Sequence, residues 1–474
     1  MKKINKIFDN LLLAIYIIFI CLFIKNIFFK VTVKYAFSYF LIICISVGVY
    51  FFIKKVKIKR VFKILMTVIL VLLSLIGVLC RIYLANISYI EPYSDYGTFY
   101  INAINFSESF KFISTSYIAL FPYLTGYMMA LGLFFKAFSV CYANVVIFNL
   151  IIDICSAVLI FVTFRKKSNF TALLFMTIWL INPLNIIWCS FVYPMSLVNF
   201  FLVLGICFFE KFEKTYDNKK CFYIYNIIQG CILALGSMFK PIFIIFIIAI
   251  FINRMYTCIF KENVNKFVII IGLLLLCCSY GVVRTFINMG VEKINGIEIS
   301  STQGWTLYLG GNVNSNGAWN EADSNYLIEL LRDNSEENTQ KILRDAALQR
   351  YKDNGIISNL RLMKNKFNTL TCALGQYTYA GFMYIQEGIS NELIMSIIKY
   401  LLSATCFIIV LSNIYIVLFR KNMENKIIYM LLAIGLITAH LFVEVSERYS
   451  LQAYIPMMFL SFKMINDLRS TIKK

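Results

Sequence analysis

The chain has 474 residues, of which 60% are hydrophobic and 15% are charged, and its mean hydropathy is +0.75. Soluble domains carry roughly a quarter of charged residues, so this composition excludes a soluble globular protein and indicates a polytopic membrane protein. The formal charge of +20 comes from short basic clusters between apolar segments, which is typical of cytoplasmic loops and not of a nucleic-acid-binding protein. The 14 cysteines lack metal-ligand spacing and are interpreted as packing residues.

Apolar segments near the roughly 20 residues that cross a bilayer recur along the whole chain. They lie at 7–29, 34–53, 61–84, 118–138, 142–164, 186–209, 222–238, 241–253, 267–287, 394–418, 427–443 and 449–465. With the shorter run 170–182, they predict an all-α fold with about eleven to thirteen transmembrane helices. The first segment is too long for a signal peptide and lacks a cleavage site, so it is expected to remain as an anchor.

The basic clusters fix an orientation for these spans. With the N-terminus and clusters such as "KKVKIKR" at 54–60 inside, residues 85–117, Lys240, Glu444–Arg448 and the polar segment 288–392 all lie outside. One inconsistency remains between residues 118 and 165, where an odd number of crossings is required but two apolar runs are present. One of the two is expected to lie along the interface or to cross only partly, and the sequence does not choose between them.

The chain therefore divides into five predicted regions: N-terminal transmembrane helices (1–84), a first external loop (85–117), a transmembrane core (118–287), an external region (288–392) and C-terminal transmembrane helices (393–474). In the external region, "NTQKILRDAALQRYKDNG" predicts a helix that stops at Asn354–Gly355, with Gln349 and Arg350 facing away from its apolar side. The following "SNLRLMKNKF" predicts a second, basic amphipathic helix.

The first external loop contains "EPYSDYGTFYINA" at 91–103, in which Asp95 lies among tyrosines that suit the headgroup interface. A carboxylate partly desolvated by such neighbours can accept a proton from a hydroxyl. The alternative interpretation is a solvated loop acid or a cap of a helix that runs from Ser94 or Asp95 through Ala103.

Cations near the predicted outer face are candidates for binding phosphate. Lys240 in "FKP" ends a span, although a lysine there can also extend to the headgroups. Arg448 in "SERYS" can hold phosphate in a bidentate contact, or can pair with Glu444 or Glu447. Arg284 is a third, weaker candidate.

The segment "GWTLYLGGNVNSNGAWNEAD" combines glycines with aromatic and amide side chains that can stack on and hydrogen-bond to a sugar. The candidates are Trp305, Asn312, Trp319 and Asn320, with Glu321 and Asp323 shaping the site. Further substrate contacts are expected from Tyr193, Glu444 and Glu447. A turn-rich loop that caps a helix from Asp323 is the alternative. His440, the only histidine, is interpreted as a packed, hydrogen-bonded core residue and not as a ligand.

Several segments resemble, in order and spacing, the C-type-fold (GT-C) glycosyltransferases of the protein O-mannosyltransferase and lipid A aminoarabinose transferase group. After Asp95 the similarity covers "YIALFPYLTGYMMALGLFFKAFS", "TALLFMTIWLINPLNIIWCSFVYPMSLVNFF", "LALGSMFKPIFIIFIIA", "TQGWTLYLGGNVNSNGAWNEAD", "RYKDNGIISNLRLMKNKF" and "EVSERYSLQAYIP". This set extends over most of residues 85–460, and the order of the segments carries the resemblance more than any single motif.

The resemblance implies a membrane enzyme that transfers one sugar, with inversion, from a polyprenyl-phosphate carrier to an extracytoplasmic acceptor. It implies that Asp95 is the catalytic base, that Lys240, Arg448 and Arg284 contact the donor phosphate, and that the active site faces outward from a bacterial plasma membrane. Many members carry a second acid before the proline of the turn, where this chain has Tyr193, so neither a metal nor another cofactor is expected. The sugar and the acceptor stay open.

Two functions of other classes remain as alternatives. A transporter or flippase of an anionic lipid-linked substrate would use the same cations, although no internal repeat is visible in the sequence. A non-catalytic envelope-assembly protein would leave Asp95 without a chemical role.

Overall fold

The computed structural model describes residues 2–29, 60–87, 94–113, 115–166, 168–212, 218–261, 264–296, 303–372, 391–417 and 426–472, and the single positions 44, 92, 299 and 423. The predicted span at 34–53, apart from one position, and the basic segment 54–59 lie outside these residues. In the described part of the chain every regular element is a helix and there is no strand, which confirms the all-α prediction.

The N-terminal half contributes eleven helices to the described residues. They are α1 (Lys2–Phe29), α2 (Arg60–Ile87), α3 (Ser94–Ser109), α4 (Thr115–Leu120), α5 (Thr125–Ala137), α6 (Tyr142–Arg165), α7 (Asn169–Leu180), α8 (Pro183–Trp188), α9 (Met195–Phe212), α10 (Lys219–Gly236) and α11 (Phe243–Phe260).

The C-terminal half continues this architecture with a polar insertion. Its described helices are α12 (Lys266–Asn295), α13 (Trp305–Gly310), α14 (Glu321–Asp333), α15 (Glu336–Cys372), α16 (Asn391–Ile414), α17 (Ile427–Phe442) and α18 (Leu451–Ile472), with a 3-10 turn at Glu447–Ser450.

Six segments of the described helices are long and apolar enough to cross a membrane. They are Ile7–Ile27, Ile64–Tyr83, Tyr142–Arg165, Met195–Phe212, Phe243–Phe260 and Lys266–Ile294. Three shorter apolar helices are Asn169–Leu180, Tyr400–Ile414 and Ile427–Phe442. These findings support a polytopic membrane protein, whereas the predicted eleven to thirteen crossings stay a prediction.

The helix lengths address the crossing inconsistency between residues 118 and 165. Helix α6 has 24 residues and meets the criterion for a span, whereas α5 has only 13. At 1.5 Å per residue α5 is about 20 Å long, which is shorter than the roughly 30 Å hydrocarbon core. Helix α5 packs against α3, the helix that carries Asp95. The broken helical structure of the segment 118–138 favours it over 142–164 as the run that crosses only partly, which stays a prediction.

Small residues let the apolar helices pack closely. A Cβ atom on Gly77 would lie 2.5 Å from the carbonyl oxygen of Leu180, where α2 meets α7. A Cβ atom on Gly230 would lie 2.0 Å from the Ser279 hydroxyl, where α10 meets α12. In a lipid environment such close contacts supply much of the attraction between helices.

The external region docks on the end of α17. The backbone amide of Glu444 donates to the carbonyl of Thr306 (2.6 Å), and that of Val445 donates to the carbonyl of Gly317 (2.9 Å). Gly355, with φ 69° and ψ 171°, interrupts α15. The predicted helix stop at Asn354–Gly355 and the second helix after it are thus confirmed.

Candidate active site

Asp95 lies in the first turn of α3, close to the start of that helix at Ser94. The helix is held against the preceding chain at Gly97, where a Cβ atom would lie 2.6 Å from the carbonyl oxygen of Pro92. One oxygen of the half-buried Asp95 carboxylate accepts a hydrogen bond from the Tyr117 hydroxyl (3.2 Å). Asp95 is therefore a residue of the first helical turn, and the helix predicted from Ser94 or Asp95 is observed.

Tyr193 lies in the turn between α8 and α9, which α6 holds in place. The side-chain amide of Asn149 donates to the carbonyls of Cys189 (3.1 Å) and Phe191 (2.8 Å). The buried Tyr193 ring packs against Tyr96 at a centroid distance of 5.8 Å. This turn therefore presents an aromatic ring, and not an acid, beside Asp95.

Arg448 reaches the same place from the 3-10 turn between α17 and α18. Its guanidinium lies over the Tyr193 ring at 5.2 Å, and Nη1 donates to the Tyr96 hydroxyl (3.2 Å). The Nε atom is buried and has no hydrogen-bond partner among the described residues. Since a guanidinium carries five N–H donors, several donors remain for an anionic ligand.

Lys240 lies in the turn between α10 and α11. Its ammonium donates to the Gln452 side-chain oxygen (3.2 Å) and lies 4.5 Å from the centre of the Tyr449 ring. Glu444 lies next to it, and its carboxylate accepts from the Tyr449 hydroxyl (3.4 Å). Lys240 and Glu444 thus share one aromatic neighbour.

We call Asp95, Lys240, Glu444 and Arg448 the charged cluster. Three separate parts of the chain contribute to it, and the charges of its members act on one another. Within the described ranges, none of the four forms an ion pair within 4.0 Å. The cluster therefore gathers two acids and two cations without pairing them directly.

The cluster perturbs the acid-base behaviour of its members outside the spans. Burial raises the pKa of Glu444, the Arg448 charge opposes this, and the Asp95 carboxylate adds to it. Burial, and then the nearby Arg448 charge, lower the pKa of Lys240 to about 7. The charge of Lys240 therefore changes near neutral pH.

Lys366 supports the cluster from the external region. Its buried ammonium donates to the carbonyls of Leu441 (2.9 Å) and Val443 (2.8 Å), at the end of α17. Burial lowers the pKa of Lys366 to about 7, although Glu444 acts in the opposite direction. A cation at a helix C-terminus is favourable, and here it fixes the segment that carries Glu444 and Arg448.

Several of the predicted sugar-binding side chains form contacts within the external region. The Asn312 and Asn320 amides each donate to Asp323 (2.8 Å), and Arg350 donates to both oxygens of that carboxylate. Trp305 is buried against Leu309 and Leu343. Asn320 caps α14, so in this segment the capping arrangement is the one observed.

The remaining candidates lie apart from the cluster or at its edge. Arg284 is exposed on α12 and donates to the Tyr280 hydroxyl one turn away (3.3 Å). Trp319 and Glu321 are exposed, and Glu447 lies beside Arg448 in the 3-10 turn. His440 is buried and stacks on Tyr449 at 4.8 Å, which agrees with a packed core residue, but neither ring nitrogen has the expected hydrogen-bond partner among the described residues.

Three polar residues near the cluster were not identified from sequence: Tyr117, Lys366 and Gln452. Each of them forms a hydrogen bond with a residue more than twenty positions away in the chain. Their only sequence signal is a polar side chain within or beside an apolar segment.

The described residues contain no group of three or more His, Cys, Asp or Glu side chains that would hold a metal ion. The charged cluster instead combines a proton acceptor with two cationic donors beside aromatic rings. Such an arrangement can bind an anionic group and accept a proton from a hydroxyl next to it. Comparison of the chain with family models, curated proteins and solved structures finds no match.

Proposed function

We propose that this protein is a membrane glycosyltransferase of the GT-C type, which transfers a sugar with inversion from a polyprenyl-phosphate carrier to an extracytoplasmic acceptor. The observation that carries the proposal is the charged cluster, in which Asp95 and two unpaired cations meet at one end of the helix bundle. The resemblance in segment order supports the same assignment. The acceptor is a hydroxyl of a cell-envelope glycan, lipid or protein.

The proposed mechanism assigns one role to each part of the cluster. Asp95 accepts the proton of the acceptor hydroxyl as the acceptor oxygen attacks the anomeric carbon. The bond from that carbon to the phosphate oxygen breaks, and the phosphate leaves with its electron pair. Arg448 and Lys240 stabilise the negative charge that develops on the departing lipid phosphate.

The surroundings of Asp95 support the role of a base. Its carboxylate has one hydrogen bond from Tyr117 and no ion pair among the described residues, so it keeps acceptor capacity for a substrate proton. The rings of Tyr96 and Tyr193 pack on each other and supply an aromatic wall to the cluster. Glu444, with its raised pKa, is suited to hydrogen-bond a sugar hydroxyl.

Transport of an anionic lipid-linked substrate is the second candidate. It is favoured by the same two cations, which would bind a lipid phosphate whether or not the phosphate leaves a sugar. A non-catalytic assembly role predicts neither turnover nor movement of lipid. The three functions therefore differ in what happens to the carrier.

The test uses the full chain in lipid nanodiscs and liposomes. We would supply a panel of polyprenyl-phosphate sugars with envelope extracts as acceptors and measure release of free polyprenyl phosphate. Asp95→Asn should lower turnover by roughly 10²–10⁴-fold, the contribution of a general base. Asp345→Asn is the matched control, because Asp345 is an exposed carboxylate next to Arg344 in the external region.

The outcomes separate the candidates. Turnover that survives Asp95→Asn would contradict the proposed mechanism. Lipid movement between leaflets without carrier release would favour transport. Absence of both activities with every donor in the panel would favour the non-catalytic role.

A further inference from the structure

The second half of α15 carries an apolar surface that no other described element covers. After Gly355, the side chains of Ile356, Ile357 and Leu360 are 79%, 76% and 61% exposed. The two isoleucines are the most exposed large apolar side chains among the described residues, more so than Ile18 (61%) on the membrane-spanning α1. Such exposure in water is unfavourable and marks an interaction surface.

Basic side chains share this face of the helix. Arg361 and Lys364 are exposed, and at 100° per residue they lie on the same side as the three apolar residues. The opposite face contains the buried Leu362 and Lys366. From Gly355 to the end of α15 at Cys372 the sequence has three basic residues and no acid.

The C-terminal end of α15 is bound to the end of the first membrane span. The Asn26 side-chain amide donates to Asn368 (3.0 Å) and to the Thr371 hydroxyl (2.7 Å), and Asn26 lies at the end of the span Ile7–Ile27. At 1.5 Å per residue, Lys364 is within about 6 Å of Asn368 along the helix axis, and Leu360 within about 12 Å. The headgroup region is roughly 5–8 Å thick, so Lys364 reaches it even if the helix stands upright, whereas Leu360 and the two isoleucines reach it when the helix lies along the surface.

A neighbouring turn adds an exposed aromatic ring. Trp319 is 60% exposed, and its turn is joined to α15 by a hydrogen bond from Asn365 to Asn316 (2.8 Å). Tryptophan favours the boundary between headgroups and acyl chains.

We propose that the basic apolar stripe, formed by Ile356, Ile357, Leu360, Arg361 and Lys364, lies against the membrane surface and binds anionic phospholipid headgroups. The apolar side chains enter the headgroup boundary, and the two exposed cations contact lipid phosphates. A second copy of the chain is a weaker fit, because two such stripes would bring four exposed cations together without acids. This proposal about the stripe does not depend on the proposed function of the charged cluster.

The docking has a structural consequence for the rest of the protein. The same helix carries Lys366, which holds the end of α17 next to Glu444. Anchoring of α15 on the lipid surface would therefore set the height of the external region above the charged cluster.

The test places a photo-crosslinking residue in the full chain. We would replace Ile357 with p-benzoylphenylalanine and, in a matched control, Leu348, which is 58% exposed on the first half of α15. Both variants are irradiated in nanodiscs that contain equal amounts of phosphatidylglycerol and phosphatidylcholine, and adducts are identified by mass spectrometry. Position 357 should give lipid adducts, and position 348 should give few.

A charge variant tests the headgroup preference. Each cation near an anionic surface favours it by roughly fivefold, so phosphatidylglycerol adducts at 357 should exceed phosphatidylcholine adducts several-fold. In Arg361→Gln with Lys364→Gln, the ratio should approach the mixing ratio. Equal lipid labelling at 357 and 348, or a cross-linked dimer in place of lipid adducts, would overturn the proposal.

Discussion

Two groups of buried or half-buried charges in this protein are arranged in opposite ways. In the external region, the Asp323 carboxylate accepts hydrogen bonds from Asn312, Asn320 and both terminal nitrogens of Arg350. In the charged cluster, Asp95 and Glu444 each accept one side-chain bond from a tyrosine, and Arg448 retains a buried Nε without a partner among the described residues. The group around Asp323 is saturated with hydrogen bonds. The charged cluster is unsaturated, because it has unused donors and acceptors.

We interpret the saturated group as structural, and the unsaturated group is the one that the proposed function uses. Burial alone would raise the pKa of Asp323, but the bonds from Arg350, Asn312 and Asn320 lower it overall. The native state thus stabilises the ionised carboxylate. In the charged cluster, burial instead raises the pKa of Glu444 and lowers that of Lys240, so the protein alone stabilises these charges poorly. A bound anion would stabilise the positive charges of Lys240 and Arg448.

The largest expected effect on stability is at the saturated group. Asp323→Asn leaves the Arg350 guanidinium without its bidentate partner, and we expect a loss of about 3 kcal/mol in the external region, near the lower end for a broken buried pair. Hydrogen exchange of residues 303–372 measures it. Protection equal to that of the wild type would contradict the structural role of Asp323.

A smaller effect is expected on the pH dependence of anion binding at the charged cluster. Because the pKa of Lys240 is about 7, its ammonium is present below pH 7 and is lost as the pH rises above it. Affinity for a polyprenyl phosphate should therefore fall between pH 6 and 8.5, by at most about tenfold per pH unit. Titrations at several pH values measure this slope.

Lys240→Arg is the matched control for this slope. A guanidinium stays charged across the range, so the variant should bind with much less pH dependence than the wild type. An unchanged slope would show that a group other than Lys240, such as Lys366, is responsible.

The smallest expected effect is on stability at the unsaturated group. Asp95→Asn keeps the size of the side chain and can still accept from Tyr117, so the free energy of unfolding should change by less than about 1 kcal/mol. Thermal unfolding in detergent, compared with Asp323→Asn, checks this. A loss at Asp95 as large as that at Asp323 would remove the distinction between the two groups.

Much of the fold could be predicted from the sequence because apolar runs of bilayer length have few alternatives to a helix. The runs at 7–29, 61–84 and 142–164 each contain an observed membrane-length helix, and the stop at Gly355 follows from its positive φ. Contacts were harder to predict. Arg350 was expected to face away from its helix core, yet it packs on Tyr308 and binds Asp323, because tertiary contacts outweigh the helical pattern.

For the candidate site, too, the location of the residues could be predicted better than their contacts. Basic clusters set an orientation, which predicts that Asp95, Lys240 and Arg448 share one side, and the structure brings them to one end of the bundle. The same reasoning placed Asn312 and Asn320 in a sugar site, although their amides are committed to Asp323. Residue type alone does not reveal which polar groups already have partners, so Lys366 and Tyr117 were missed.

The most direct test of the central assignment is the affinity of the charged cluster for a lipid phosphate. Binding of a short-chain polyprenyl phosphate to the full chain in nanodiscs would be compared for the wild type, Arg448→Gln and the exposed control Arg344→Gln. Loss of a charged hydrogen-bond donor should weaken binding by roughly 10- to 100-fold in Arg448→Gln, and Arg344→Gln should match the wild type. Equal affinity in all three proteins would contradict the account.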